Sequence, residues 1–145
     1  GIISALMGRH QVHIGRRFPR SVGIDIPDCP VLTNIGSFET TDVRKDGTVW
    51  DIYSDTPGKT PPYVYLISTN QCGNYAREGD CYNREHSFPK SWFGDGEPMY
   101  TDLFHIYPTD GWVNNKRGNL PYGETKTPGW SSLNGSMTGP SSEPG

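Results

Sequence analysis

Glycine and proline are spread along the whole chain and limit the length of any regular element it can form. There are 18 glycines and 13 prolines among 145 residues, and both residue types interrupt helices and strands. The aromatic fraction of 12 % is nevertheless typical of a folded chain, because disordered chains are poor in aromatic residues. We therefore expect one loop-rich domain with a modest core, which a cross-link or a bound ion helps to stabilise.

The charge distribution excludes a strongly basic protein. The net charge is -3, so a nucleic-acid partner would have to be held by a local patch or through a metal ion. One local patch is N-terminal: Arg9, Arg16, Arg17 and Arg20 precede the first acid, and they form either a solvated tail or a phosphate-binding arm. No apolar run reaches the roughly 20 residues of a membrane span, so we expect no membrane association. Residues 2–7 are too short and too uncharged at their start for a signal peptide.

Two of the three cysteines flank a short turn-rich segment. Cys72 and Cys81 enclose residues 73–80, and a disulfide across this loop would indicate an oxidising compartment. A zinc site with a histidine and two free thiols are the alternatives, although no Cys-x-x-Cys spacing supports zinc. The disulfide is favoured, and Cys29 is left over as an unpaired thiol.

The middle of the chain predicts short strands. Thr48–Tyr53 is rich in β-branched and aromatic residues, and Asp46-Gly47 before it is typical of a hairpin turn. Tyr63–Ile67 predicts another short strand. After Glu124 the composition shifts to threonine, proline, serine and glycine, so we expect residues 127–145 to be an irregular and mobile tail.

Three polar blocks carry the residues suited to chemistry: residues 82–94, 101–108 and 113–119. In the first, Glu85 could hold Mg²⁺ through oxygen, and His86 could serve as a neutral base because its ordinary pKa is about 6.5. Neighbouring residues of a strand point to opposite faces. The pair can therefore serve one site only if the strand ends or bulges there, which Pro89 favours.

The second and third blocks predict a strand followed by a helix. Residues 101–108 are expected to form a hairpin with residues 82–87. His105 would then lie either beside His86 or in the core. Thr109 or Asp110 could cap a helix that begins near Gly111. On that helix Val113, Arg117 and Leu120 would share a face, and Asn114 would neighbour Arg117.

Together these blocks resemble the bacterial endonuclease I family of secreted or periplasmic nucleases. The resemblance rests on residues 82–92, on Thr101–His105 with Pro108, and on Val113-Asn114 with Arg117 and Asn119; residues 49–54 and 78–81 also fit. It covers roughly residues 38–126. It implies an α+β fold with a ββα-metal (His-Me finger) core, additional short strands and long loops.

The resemblance also implies an activity and a set of site residues. The activity would be a metal-dependent, sequence-non-specific cleavage of DNA, and for some members of RNA, that leaves 5′-phosphate and 3′-hydroxyl ends. His86 matches the general base, and Glu85 and Asn114 match the ligands of Mg²⁺, with Mn²⁺ or Ca²⁺ as alternatives. The other candidates are Arg117 for catalysis, Arg84, Lys90 and Lys116 for substrate binding, and Asp102, His105 and Asn119 for support of the site.

The domain organisation follows from the same comparison. Residues 1–36 match the family poorly, residues 37–126 form the predicted core, and residues 127–145 form the tail, where the chain stops earlier than family members usually do. We expect a monomer that acts outside the cytoplasm. Two alternatives remain open from the residues alone: an extracellular domain that binds polyanions without cutting them, and a truncated, inactive nuclease.

Overall fold

The computed structural model describes the backbone of residues 2–4 and all of residues 41–56, 58–102 and 104–142. The elements are, in chain order, β1 (Ile2–Ser4), β2 (Tyr82–His86), a 3₁₀ turn (Lys90–Trp92), β3 (Ile106–Asp110), α1 (Gly111–Arg117), β4 (Trp130–Ser131) and β5 (Met137–Gly139). The short helix and the two small sheets among these described residues make this an α+β fold. No helix among the described residues is long and apolar enough to cross a bilayer.

The central unit is a hairpin followed directly by a helix. Strands β2 and β3 pair antiparallel, with Glu85 opposite Tyr107 and His86 opposite Ile106. The hairpin confirms the predicted pairing of the first two polar blocks, but the second strand begins at Ile106, several residues later than predicted. Before Ile106 the described residues lie outside the strand, and there the Asp102 carboxylate accepts a hydrogen bond from the Phe104 backbone at 2.9 Å. Strand β2 ends at His86, as the proposed Glu85–His86 site requires.

Helix α1 begins where the sequence predicts. Asp110 is the N-cap, and its side chain accepts a hydrogen bond from the Val113 backbone at 2.7 Å. Val113 and Arg117 both lie on the buried face of the helix. Gly118 ends it with a positive φ of 55°, a conformation that glycine adopts without steric cost. The helix packs against both strands of the hairpin.

The predicted strands at residues 48–53 and 63–67 are wrong. The Asp46-Gly47 turn does form, and Val43 pairs with Val49 across it, but only isolated bridges follow. The chain turns again at once because the Asp51 carboxylate accepts a hydrogen bond from the Tyr53 backbone at 2.9 Å. The side chains of this region still build the core, in two small clusters around Val49 and Tyr53.

Among residues 127–142 the tail forms strands β4 and β5, so the expectation of an irregular end is wrong for this described part. Strands β4 and β5 form a hairpin, and β5 also pairs with β1. Two side chains of the turn between β4 and β5 form hydrogen bonds with the Tyr53 carbonyl. Asn134 donates to it at 3.1 Å, and Ser136 donates to it at 3.3 Å. These polar contacts are invisible to a composition argument, because serine and asparagine are also typical of loops.

Candidate functional site

Glu85 lies in the middle of the hairpin–helix unit and is 3 % exposed. Its Oε1 accepts hydrogen bonds from the Tyr53 hydroxyl at 2.6 Å and from Arg117 Nη1 at 2.5 Å. Burial raises the pKa of the Glu85 carboxyl, and the adjacent Arg117 and Tyr53 oppose that rise. Glu85 and Arg117 form a buried ion pair, and the neutral Tyr53 hydroxyl donates a further hydrogen bond to the carboxylate.

Arg117 connects several segments of the site through hydrogen bonds. It is 1 % exposed, and besides Glu85 it donates to the carbonyls of His86 and Ser87 at 2.6 Å and of Leu120 at 2.9 Å. Its guanidinium also lies 4.6 Å from the ring centroid of Tyr122. The contacts to Glu85, His86 and Ser87 fix the end of β2 against α1. A catalytic role for Arg117 remains a prediction, whereas the geometry gives it a positioning role.

His86 is half-buried beside the loop that joins the two strands of the hairpin. Its Nε2 lies 3.1 Å from the Tyr100 carbonyl. A carbonyl oxygen only accepts, so the hydrogen bond assigns the proton to Nε2 and leaves Nδ1 as the basic nitrogen. Burial lowers the pKa of His86, and His105, Lys90 and Arg84 add to this effect, which keeps the imidazole neutral at pH 7.

Asn114 is held on the first turns of α1 with its amide nitrogen toward β2. Nδ2 donates to Asn83 Oδ1 at 2.9 Å and to the Arg84 carbonyl at 3.0 Å. With Nδ2 committed to the strand, Oδ1 is the atom left for a ligand. Asn114 and Arg117 are three residues apart and therefore neighbours on the helix. Asn114 bonds β2 at Asn83 and Arg84, and Arg117 bonds the next residue of that strand, Glu85.

The three predicted substrate-binding cations lie around this centre. Arg84 is half-buried, and its guanidinium has no hydrogen-bond or ion-pair partner among the residues the structure describes. Lys90 is exposed; it lies 5.2 Å from the Tyr100 ring centroid and 3.9 Å from an Asp95 carboxylate oxygen. Lys116 is exposed on α1, 4.8 Å from the Trp112 ring centroid. Their contacts with substrate remain predictions.

The predicted supporting residues are placed differently from one another. His105 lies beside His86, with 5.8 Å between ring centroids, and neither of its ring nitrogens has a hydrogen-bond partner within the described chain. Of the two positions expected for His105, the structure shows the one beside His86. Asp102 holds the turn before His105 through its carboxylate and its carbonyl. Asn119 is exposed just beyond α1, and no recorded contact joins it to Glu85 or His86.

Aromatic side chains border the His86 side of the site. Phe88 packs edge-on against Trp92 and is stacked with Phe93, which in turn contacts His86. These rings pack on one another, yet Phe88 remains 40 % and Trp92 49 % exposed. They are thus both a support for the loop and part of the surface next to the imidazole.

The donor set fits a hard divalent cation bound by few protein ligands. Among the described residues no cluster of three or more histidine, cysteine, aspartate or glutamate side chains is arranged to hold a metal ion. The available oxygens are those of Glu85 and Asn114. Mg²⁺ is commonly bound by one or two protein oxygens and otherwise by water and substrate phosphate, so this pair suits Mg²⁺ better than zinc.

Cys72 and Cys81 form the predicted disulfide, with 5.8 Å between their Cα atoms. Cys81 is buried and immediately precedes β2. Next to it, the backbones of Cys72 and Asn70 bond to Tyr82 at 3.1 and 3.0 Å. The cross-link therefore anchors the start of the strand that carries Glu85 and His86.

Four residues that shape the site were not predicted from the sequence. Tyr53 holds Glu85, Tyr122 contacts the Tyr53 hydroxyl at 3.0 Å, Asn83 holds Asn114, and the Tyr100 carbonyl holds His86. The sequence could have indicated Asn83, because it lies in the first polar block next to Arg84. Tyr53 and Tyr122 lie more than 30 residues from Glu85 on either side, and no spacing rule links them to it.

A carboxylate on a hairpin, an amide on the following helix and a histidine at the end of the strand are residue types that metal-assisted hydrolases use. The Endonuclease I profile matches residues 30–143, and the chain belongs to that family. The match includes the ordered tail hairpin, beyond the region of the resemblance given above.

Two further comparisons bear on the chain. It is 35 % identical over 82 residues to a protein named extracellular ribonuclease from Bacillus subtilis (strain 168). The aligned part is 51 % of this chain and 28 % of that relative, so the chain spans little more than a quarter of the relative's length. No solved structure gives a significant match.

Proposed function

We propose that this protein is a divalent-metal-dependent, sequence-non-specific endonuclease that hydrolyses DNA and RNA. The observation that carries the proposal is the His86 ring, whose Nε2 is fixed on the Tyr100 carbonyl at 3.1 Å, at the end of the strand that also carries Glu85. Membership of the Endonuclease I family supports a nucleic-acid substrate. The printed name of the Bacillus relative, extracellular ribonuclease, supports RNA as a second substrate.

His86 acts as the general base in this proposal. Its Nδ1 accepts a proton from the attacking water, and the lowered pKa of His86 keeps that nitrogen unprotonated at neutral pH. The Tyr100 carbonyl fixes the tautomer and the ring orientation during the transfer. The attack on phosphorus expels the 3′ oxygen, so the products carry 5′-phosphate and 3′-hydroxyl ends.

Glu85 and Asn114 hold the metal ion, which is Mg²⁺, with Mn²⁺ or Ca²⁺ as substitutes. When bound there, the ion would supply positive charge to offset the negative charge that develops at the scissile phosphate and the leaving oxygen. Glu85 supplies a carboxylate oxygen, and Asn114 supplies Oδ1 while its Nδ2 stays on the β2 backbone. Arg117 keeps Glu85 in place rather than touching substrate.

Arg84, Lys90 and Lys116 bind the phosphate backbone on either side of the scissile bond. Contacts to phosphate and sugar carry no direct sequence information, which accounts for cleavage without sequence preference. The ββα-metal core is the unit β2–β3–α1, and the protein works as a monomer.

An extracellular or periplasmic location accompanies the activity. The Cys72–Cys81 disulfide supports it, because such bonds persist in oxidising compartments. The name of the Bacillus relative points the same way. Neither observation depends on a signal sequence.

A plasmid assay tests the proposal through the metal ligand on the helix. Supercoiled DNA and a structured RNA are incubated with wild-type protein, Asn114→Ala and Asn115→Ala in a series of Mg²⁺ concentrations, and again in EDTA. Asn115 is the exposed neighbour on α1, so it is a matched control. We expect full cleavage by wild type and Asn115→Ala, at least a tenfold higher Mg²⁺ requirement for Asn114→Ala, and no cleavage in EDTA.

Other outcomes separate the rival functions. A shifted but uncut DNA band in Mg²⁺ would indicate a polyanion-binding domain. Cleavage that survives EDTA would indicate a metal-independent phosphodiesterase. Equal metal requirement in the two asparagine variants would remove Asn114 from the site.

A further inference from the structure

Both side-chain donors that bind Glu85 bind the same oxygen. The Tyr53 hydroxyl lies 2.6 Å and Arg117 Nη1 lies 2.5 Å from Oε1. A carboxylate has about four lone-pair positions divided between its two oxygens. Two donors on Oε1 therefore fix the plane of the carboxylate and turn Oε2 away from both of them.

Tyr53 is itself held firmly enough to impose this orientation. It is 1 % exposed, its ring packs with Val113 of α1, and its backbone nitrogen donates to Asp51 Oδ1 at 2.9 Å. Its carbonyl accepts hydrogen bonds from Asn134 and Ser136 of the C-terminal hairpin. Helix α1, the turn at Asp51 and the C-terminal hairpin thus hold Tyr53 in place, and its hydroxyl is fixed relative to the Glu85 carboxylate.

The Tyr53 hydroxyl affects Glu85 differently from a second positively charged side chain, because it is a neutral donor. Arg117 already balances the charge of Glu85, and another positive group would compete with a bound cation for the same carboxylate. A neutral hydroxyl adds direction at little electrostatic cost. Outer hydrogen bonds of this kind typically change metal affinity or activity about 10- to 100-fold.

We propose that Tyr53 is a positioning residue that, together with Arg117, occupies Oε1 of Glu85 and leaves Oε2 as the single oxygen through which Glu85 binds the metal ion. This inference rests on the proposed function, since it presumes that Glu85 is a metal ligand. It assigns to the C-terminal hairpin a part in the site, because Asn134 and Ser136 hold Tyr53. It also explains why a buried tyrosine far from β2 in sequence faces the carboxylate.

The test is a calorimetric titration with Mg²⁺ alone, in the absence of nucleic acid. Tyr53→Phe keeps the ring and removes the hydroxyl, and we expect its Mg²⁺ affinity to be about tenfold lower than that of wild type. The matched control is Tyr63→Phe, which removes a hydroxyl from another carboxylate, Glu78, at 2.8 Å. Its Mg²⁺ affinity should equal that of wild type. With plasmid as substrate, kcat of Tyr53→Phe should fall while KM for DNA at saturating Mg²⁺ stays the same.

Two further variants keep the outcome decisive. Glu85→Gln removes the charge of the proposed ligand and leaves a neutral amide: if it binds Mg²⁺ like wild type, the metal assignment of the proposed function fails. If Glu85→Gln loses binding but Tyr53→Phe stays within threefold of wild type, only the positioning role is overturned. Should Tyr53→Phe not fold by circular dichroism, Tyr122→Phe takes its place, because Tyr122 contacts the Tyr53 hydroxyl at 3.0 Å. A smaller loss of affinity supports the inference, and unchanged affinity overturns it.

Discussion

Replacing Arg117 by methionine should destabilise the domain severely. The side chain is 1 % exposed and forms an ion pair with a carboxylate that is itself buried. Removing one partner of a buried ion pair costs about 3–5 kcal/mol, because the remaining charge is left without compensation. The carbonyls of His86, Ser87 and Leu120 lose their donor in addition. Domains of this size are typically stable by only about 5–15 kcal/mol, so a large share of the free energy of unfolding should disappear.

Urea denaturation followed by tryptophan fluorescence measures this loss, since the chain has four tryptophans. The matched control is Lys116→Met on the same helix: Lys116 is exposed, and its replacement should change the free energy of unfolding by no more than about 0.5 kcal/mol. The double variant Glu85→Gln/Arg117→Met should be more stable than Arg117→Met alone, because it removes the uncompensated charge. A cost below about 1 kcal/mol for Arg117→Met, or no recovery in the double variant, would refute the ion pair as a central support.

Two other predictions concern pH and redox conditions. Burial raises the pKa of Asp51 from 3.8 to about 7, so folding favours its protonated form; the carboxyl costs nothing below about pH 4, and its cost grows to at most about 4 kcal/mol by pH 7. Urea titrations at intervals across this range should show wild type losing stability relative to Asp51→Asn as pH rises, and a parallel dependence in the two proteins would contradict the burial argument. Reduction of the Cys72–Cys81 bond, which spans nine residues, should lower the free energy of unfolding by about 2–3 kcal/mol; a thermal scan with and without a reductant that shows the same midpoint would contradict it.

The parts of the fold that could be predicted are those fixed by local chemistry. Asp110 caps α1 because a carboxylate three residues before Val113 can reach its N–H. The Asp46-Gly47 turn forms for an equally local reason, and Gly47 has a φ of 83°. The end of β2 at His86 agrees with the position of Pro89. In each case the deciding interaction lies within a few residues of the signal.

The parts that could not be predicted depend on contacts between distant segments. Thr48–Tyr53 has the composition of a strand, but Asp51 binds the backbones of Tyr53 and Asp110 and bends the chain. Residues 127–142 resemble a loop in composition but form strands β4 and β5, and Asn134 and Ser136 bond Tyr53, about 80 residues away. The role of Arg117 also depends on a distant contact. In the sequence it is an arginine on a polar helix and suits phosphate, whereas in the structure it is buried and paired with Glu85.

The most direct test of the central claim is the cleavage rate of His86→Ala in Mg²⁺. Supercoiled plasmid is incubated with wild type and variant at equal concentrations, and the urea midpoints of the two proteins are compared in parallel. General-base catalysis typically contributes about 10²–10⁴-fold, so we predict a rate at least 100-fold lower for His86→Ala with an unchanged urea midpoint and an unchanged affinity for Mg²⁺. A folded His86→Ala protein that nicks plasmid at the wild-type rate would contradict the account.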